Sequence, residues 1–133
     1  MASSLQVDLV TPEARVFSGP ASEVVIPAWE GEMGIYPDHD TLLTLLRAGT
    51  CTIGAKDGAL RLLIGRGFAE IGPDRVTVLT DSCEPVGGID KEKAARDLAA
   101  AEADAAAADP LSERYRQARI AAEHAQARLS ATG

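Results

Sequence analysis

The run Glu30-Gly-Glu-Met-Gly-Ile-Tyr-Pro-Asp-His-Asp40 gathers the side chains of this sequence best suited by type to do chemistry. Glu30, Glu32, Asp38 and Asp40 can hold a cation or move a proton, and His39 adds an imidazole that could do either. A metal centre needs at least three such groups converging on one point. Here Gly34-Ile35-Tyr36-Pro37 divides the glutamates from Asp38, His39 and Asp40. The other histidine, His124, lies far along the chain. There is no Gly-x-Ser-x-Gly elbow, no His-Glu-x-x-His, no pair of Cys-x-x-Cys motifs and no Gly-Lys-Ser/Thr of a phosphate-binding loop. Cys51 and Cys83 have no neighbouring histidine to make either a nucleophile, and reduced thiols are expected. Neither catalysis, nor a metal, nor a cofactor is expected. Two readings of the run stay open. In one, Gly31, Gly34 and Pro37 shape a loop whose acids face water. In the other, a protruding loop offers its polar tip to a partner while Met33, Ile35 and Tyr36 anchor it to a scaffold.

That scaffold is read from periodicity. Up to about Pro85 the chain consists of short strands broken by turn residues. LQVDLV alternates, with Leu5, Val7 and Leu9 on one face and Gln6 and Asp8 on the other. ARVFSG and SEVVIPA are short, β-branched or aromatic, and punctuated by Gly19, Pro20 and Pro27. Hairpins are expected to turn at Lys56-Asp57-Gly58 and at Gly72-Pro73-Asp74. The composition is 46% hydrophobic but only 4% aromatic, so the core must be aliphatic. The expectation is an antiparallel sandwich or flattened barrel.

After Pro85-Val-Gly-Gly88 strand periodicity stops. Asp90 is placed to cap a helix whose stripe is Ala94, Leu98, Ala101, Ala105 and Ala108. Asp109-Pro110 breaks it. Leu111, Tyr115, Ala118, Ala122, Ala125 and Leu129 then repeat the spacing, which predicts an antiparallel helical hairpin. Its seam is mostly alanine, the best helix former and a poor source of burial energy. Each helix can persist while the packing between them changes, a property that suits a part with two docking positions; an alanine-rich hairpin with a single packed state is the other reading of the same residues. The net charge of −7, most of it before Gly88, excludes a nucleic-acid surface. No apolar run reaches the roughly 20 residues needed to cross a bilayer. The opening MASSLQVDLV has no basic segment followed by a long apolar one, so a cytoplasmic chain is expected.

FSGPASEVVIPAWEGEMGIYPDHDTLLTLLRAG resembles the corresponding region of the epsilon subunit of bacterial F-type ATP synthases, equivalent to the mitochondrial delta subunit. GRGFAEIGPDRVTVLTDSCEP and IDKEKAARDLAAAEA extend the resemblance over nearly the whole chain. It implies an α+β fold: a β sandwich of ten strands over residues 1–86, docking on the gamma subunit and the c ring, and a helix–turn–helix over 87–133. The resemblance further implies a non-catalytic rotor subunit of the central stalk. Such a subunit is peripheral to the membrane, on the cytoplasmic face of the bacterial inner membrane, and turns as proton flow drives ATP synthesis.

Carried over residue by residue, Glu30, Glu32, Tyr36, Asp38 and His39 become candidate contacts to the c ring, with Glu32 the strongest. Arg114, Arg116, Arg119 and Arg128 become candidates to meet the alpha and beta subunits and slow ATP hydrolysis when the hairpin extends. Some relatives bind ATP through an Ile/Leu-Asp-x-x-Arg-Ala motif and arginines of the second helix. Here the matching residues are Ile89, Asp90, Lys93, Ala94 and Arg128, with lysine in place of the motif arginine and His124 in place of a further one. Weak ATP binding, and with it a nucleotide-responsive regulator, is the alternative to a purely mechanical role. A free-standing β-sandwich module is a third.

Overall fold

The computed structural model describes residues 4–132. The chain divides between Pro85 and Val86 into two compact units. The first is built of β1 (Leu5–Val10), β2 (Arg15–Ala21), β3 (Glu23–Ala28), β4 (Gly31–Ile35), β5 (Leu42–Leu46), β6 (Gly49–Ala55), β7 (Gly58–Ile64), β8 (Gly67–Ile71), β9 (Arg75–Thr80) and β10 (Cys83–Pro85). They form one sheet in the order β10-β7-β6-β3-β5-β8-β9-β1-β2, with β4 added to β3. β3 joins the two halves: Glu23–Val25 pair with β6, whereas Ala28 pairs with Leu46 of β5. The halves enclose a core of Leu5, Val7, Leu9, Val24, Ile26, Ile35, Leu46, Ile53, Ile64, Val76 and Val78. It is aliphatic; Phe17 only packs against its margin.

Both expected hairpins form, β6–β7 around Lys56-Asp57 and β8–β9 around Gly72–Asp74. Three features depart from the expectation. The segments Gly31–Ile35 and Leu42–Leu46, read as a loop and an apolar run, are strands β4 and β5. Glycine content hid the first; pairing of Ala28 to Gly31 through Val24 to Ile35 supplies what propensity does not. The sheet is also not wholly antiparallel, since β1 runs parallel to β9 from Gln6↔Arg75 to Val10↔Leu79. Alternation tells which face a residue takes, not which distant strand it will pair with. Finally, Asp8 is buried rather than facing water. It accepts hydrogen bonds from Ser18 Oγ at 2.7 Å and Arg75 Nη1 at 2.9 Å, so the outer face of β1 is closed by a polar network.

Cys51 on β6 and Cys83 on β10 flank β7, where they pair with Leu62 and Ile64. Two strand spacings, about 9–10 Å, exceed the roughly 7 Å that a disulfide tolerates between Cα atoms. Both thiols are free. Burial pushes the Cys51 thiol up to about 12 and raises that of Cys83.

The second unit holds a 3-10 turn at Val86–Gly88 and helices α1 (Lys91–Ala107) and α2 (Glu113–Thr132). The Asp90 carboxylate accepts the Lys93 N–H at 3.1 Å and caps α1. Asp109-Pro110 ends it. Ser112 caps α2, its hydroxyl accepting the Tyr115 N–H at 3.1 Å. Arg114, early in α2, reaches Asp104, late in α1, and Arg128 reaches Asp97, so the helices run antiparallel. The seam is Ala94, Ala101 and Ala105 against Ala118, Ala122 and Ala125. At about 0.8 kcal/mol per methyl these six contribute on the order of 5 kcal/mol. Leu111, expected in the stripe, is 96% exposed. It lies in the link rather than the helix, where its N–H donates to Asp109 Oδ1 at 2.9 Å. No helix among the described residues is long and apolar enough to cross a membrane.

Candidate functional site

The acidic run is a β hairpin followed by a turn, and its residues fall at two places. Ala28 pairs with Gly31, so Trp29-Glu30 is a two-residue turn, with Gly31 at φ 137° where a side chain would be strained. Glu30 and Glu32 are exposed at this end of the strands. β4 then runs to Ile35, which is buried, while Met33 packs against the core. At about 3.3 Å per residue, Ile35 lies roughly 13 Å from Gly31. Tyr36, Asp38 and His39 follow it, and thus stand at the opposite end of the sandwich from Glu30 and Glu32. The Asp38 N–H donates to the Pro73 carbonyl at 2.6 Å, holding Asp38 at φ 69° beside the β8–β9 turn. His39 Nδ1 lies 2.6 Å from the Asp40 carbonyl oxygen. The one polar tip expected from the sequence is two surfaces.

Met33 and Ile35 anchor the hairpin, but Tyr36 does not: it is 58% exposed. Its hydroxyl hydrogen-bonds Glu23, and the bond together with the Glu23 charge raises the phenol above its ordinary range.

A surface that the motifs did not single out lies on the outer face of β5 and β8. Leu43 and Leu45 are 66% and 63% exposed. In register they oppose Glu70 and Phe68, and Phe68 is also exposed. The signal was present in the Leu-Leu-Thr-Leu-Leu run, since a strand with leucine at both parities presents leucine on both faces. Beyond Leu45 comes Trp29, whose N–H donates to the Leu45 carbonyl at 2.9 Å. The guanidinium carbons of Arg47 and Arg66 stand 5.3 and 5.7 Å from the Trp29 ring centroid.

On the helical hairpin, Arg114 Nε donates to Asp104 at 2.8 Å and Arg116 pairs with Glu113 on its own helix. Arg116 and Gln117 together hold the Glu113 carboxyl down at about 2. Arg119 is exposed. Arg128, with a side chain only 15% exposed, lies 3.5 Å from Asp97. Of the residues matched to a nucleotide site, Ala94 is buried in the seam and Asp90 fills the anion position at the α1 N-terminus. Lys93 Nζ is 2.8 Å from Asp97 Oδ2, the same carboxylate that meets Arg128. Lys93, Arg128 and, more weakly, Arg96 depress the Asp97 carboxyl. Lys93 and Arg128 are therefore brought together, but around an acid of the chain itself. ATP is accordingly expected to leave the melting temperature of the chain unmoved, and Asp97→Asn to introduce a rise with ATP, as preferential binding to the folded state requires. A clear rise in the unaltered chain would show that Asp97 yields to phosphate.

Residues 4–86 match the family model described as "ATP synthase, Delta/Epsilon chain, beta-sandwich domain". The ATP synthase epsilon chain of Maricaulis maris is 38% identical over 124 residues, covering 93% of both chains. That of Synechococcus sp. (strain RCC307) is 37% identical over 131 residues, covering 97% of both. Among solved structures, one chain of the Euglena gracilis mitochondrial ATP synthase assembly of OSCP, F1 and c-ring aligns with a TM-score of 0.89 at 24% identity. The alignment covers 100% of this chain and 84% of that one. At that identity the likeness speaks for the fold, a β sandwich followed by two helices.

Proposed function

We propose, for a chain that belongs to the ATP synthase delta/epsilon family, a non-catalytic role in the central stalk of the F-type ATP synthase. As part of the rotor it transmits c-ring rotation, driven by proton flow, to the gamma subunit and so to ATP synthesis. It works at the periphery of the membrane, on the cytoplasmic face of the bacterial inner membrane. The observation that carries most weight is the β3–β4 hairpin: exposed Glu30 on its two-residue turn and exposed Glu32 at the start of β4, held by Met33 and the fully buried Ile35. A carboxylate pair on so stiff a support suits an interface that must hold register under load, and we assign it to the polar loops of the c ring. Tyr36, Asp38 and His39 are assigned away from the ring, because they stand at the other end of the strands.

The helical unit has a second role in this reading. A seam of alanines, worth on the order of 5 kcal/mol, opens at lower cost than one of leucines would, and α2 then presents Arg114, Arg116, Arg119 and Arg128 to the alpha and beta subunits as a brake on hydrolysis. The nucleotide-sensing alternative has less support, since Asp97 occupies the cations it would use. The test uses enzyme stripped of this chain. Adding back the full chain is expected to restore ATP-driven proton pumping; adding back a chain ending at Gly88 is expected to restore pumping with clearly faster hydrolysis. Pumping that neither chain restores would overturn the stalk role, and hydrolysis unchanged by truncation would overturn the brake.

A further inference from the structure

We infer that Asp97 is a built-in latch on the helical brake, holding against α1 the guanidinium that Arg128 would otherwise offer to an acidic partner. The inference rests on the brake reading and names the residue that sets how far the brake is applied, which that reading leaves open. Arg114, Arg116, Arg119 and Arg128, the cations assigned to the brake, all belong to α2. Arg116 pairs with Glu113 of its own helix, so that contact travels with α2 when the hairpin opens. Arg114 and Arg128, by contrast, are tied across to α1, by Asp104 and by Asp97. Both must let go before α2 can leave.

The ties differ in place. Asp104 and Arg114 flank the link, where the chain itself keeps the helices close. Asp97 and Arg128 lie toward the open end of the hairpin, where no covalent connection helps and the seam offers only alanine methyls. The Arg128 side chain is only 15% exposed, so its pairing with Asp97 at 3.5 Å is less screened by water than a surface pair is. Lys93 Nζ, 2.8 Å from the same Oδ2, steadies Asp97 from its own helix. Lys93, then Arg128 and Arg96, hold the Asp97 carboxyl below its ordinary range, so the latch stays charged at neutral pH. Asp97, His124 and Arg128 line one groove between the helices, with Ala101 and Ala125 beside them. Arg128 is thus enclosed while the hairpin is shut. An acidic partner has to compete with a carboxylate that is already in place.

ATP hydrolysis by stripped enzyme rebuilt with each variant tests the latch. The assay is run at low ATP with a regenerating system, so that nucleotide cannot stand in for a missing carboxylate. Asp97→Asn is expected to slow hydrolysis about two- to fivefold against the unaltered chain, the scale of one charge pair. Asp97→Glu, which keeps the charge, should hydrolyse as the unaltered chain does. Adding Arg128→Gln to Asp97→Asn should recover much of the lost rate, because the released guanidinium is then missing. The sign separates a latch from a prop. A helical unit merely weakened by the substitution would brake less and hydrolyse faster, as the chain ending at Gly88 is expected to. Asp97→Asn hydrolysing at the unaltered rate or faster, while truncation at Gly88 speeds hydrolysis, would overturn the latch and leave the brake standing. A double variant as slow as Asp97→Asn alone would overturn it too, since Asp97 would not then act through Arg128. Hydrolysis that truncation leaves unchanged would sink the brake reading itself, and the latch with it.

Discussion

Gly67→Ala is expected to deprive the β unit of a large part of its stability, lowering the melting temperature by at least about 10 °C or leaving the chain insoluble. Gly67 is hydrogen-bond paired on both sides, to Leu46 of β5 and to Thr80 of β9. A Cβ built there would sit far inside contact distance of the Leu79 carbonyl oxygen, and 2.8 Å from Thr80 Cα. Those atoms are backbone, so no rotamer change relieves the clash; the sheet must spread where three strands meet. Overpacking of a core commonly costs about 1–3 kcal/mol, and a clash with paired backbone belongs at or above the upper end. A domain has only about 5–15 kcal/mol in total. Gly65→Ala makes the informative comparison. There the obstacles are the Asp81 and Ser82 side chains, which can turn away, so the cost should be smaller. Gly87→Ala meets nothing within 4 Å and should be neutral. Gly67→Ala melting within about 2 °C of the unaltered chain would mean that the β8–β9 ladder is far more yielding than its pairing implies.

The contrast between these glycines shows where the sequence stops being informative. In Gly65-Arg-Gly67 nothing in the sequence separates the two glycines, yet one faces side chains and the other is wedged between strands. Local rules carry the first kind of information only. They identify the aliphatic strands, the two hairpin turns, the Asp90 cap and the Asp109-Pro110 break, because each depends on a few adjacent residues. The parallel pairing of β1 with β9 depends on residues some seventy positions apart and leaves no periodic trace. The same limit acted on the candidate site. The motif from Glu30 to His39 is contiguous in sequence and so reads as one loop; β4 inside it carries its two ends apart. Asp97 is illegible in the sequence for a related reason. It belongs to no motif, and only the antiparallel pairing of the helices brings it between Lys93 and Arg128.

Separation of the two ends makes a charge-reversal experiment discriminating. Glu30→Lys combined with Glu32→Lys is expected to cut the protons pumped per ATP to about half or less, with melting unchanged. Hydrogen bonds to an ionised group are worth about 1.5–3 kcal/mol each, so if both carboxylates meet donors of the ring as proposed, reversing them would remove on the order of 3–6 kcal/mol and add repulsion. Both side chains are exposed, and neither contributes to the core, so the fold has no reason to respond. Asp38→Asn combined with His39→Ala serves as the companion. Asparagine tolerates the positive φ of Asp38, and the pair stands at the opposite end of β4. Proton yield should survive that change. If the companion uncouples pumping and the lysine pair does not, the ring meets the Tyr36 end of the sandwich, and the assignment of ends must be exchanged. If the lysine pair pumps with full yield and the companion does too, the acids of this hairpin serve solubility alone, and torque passes through another surface.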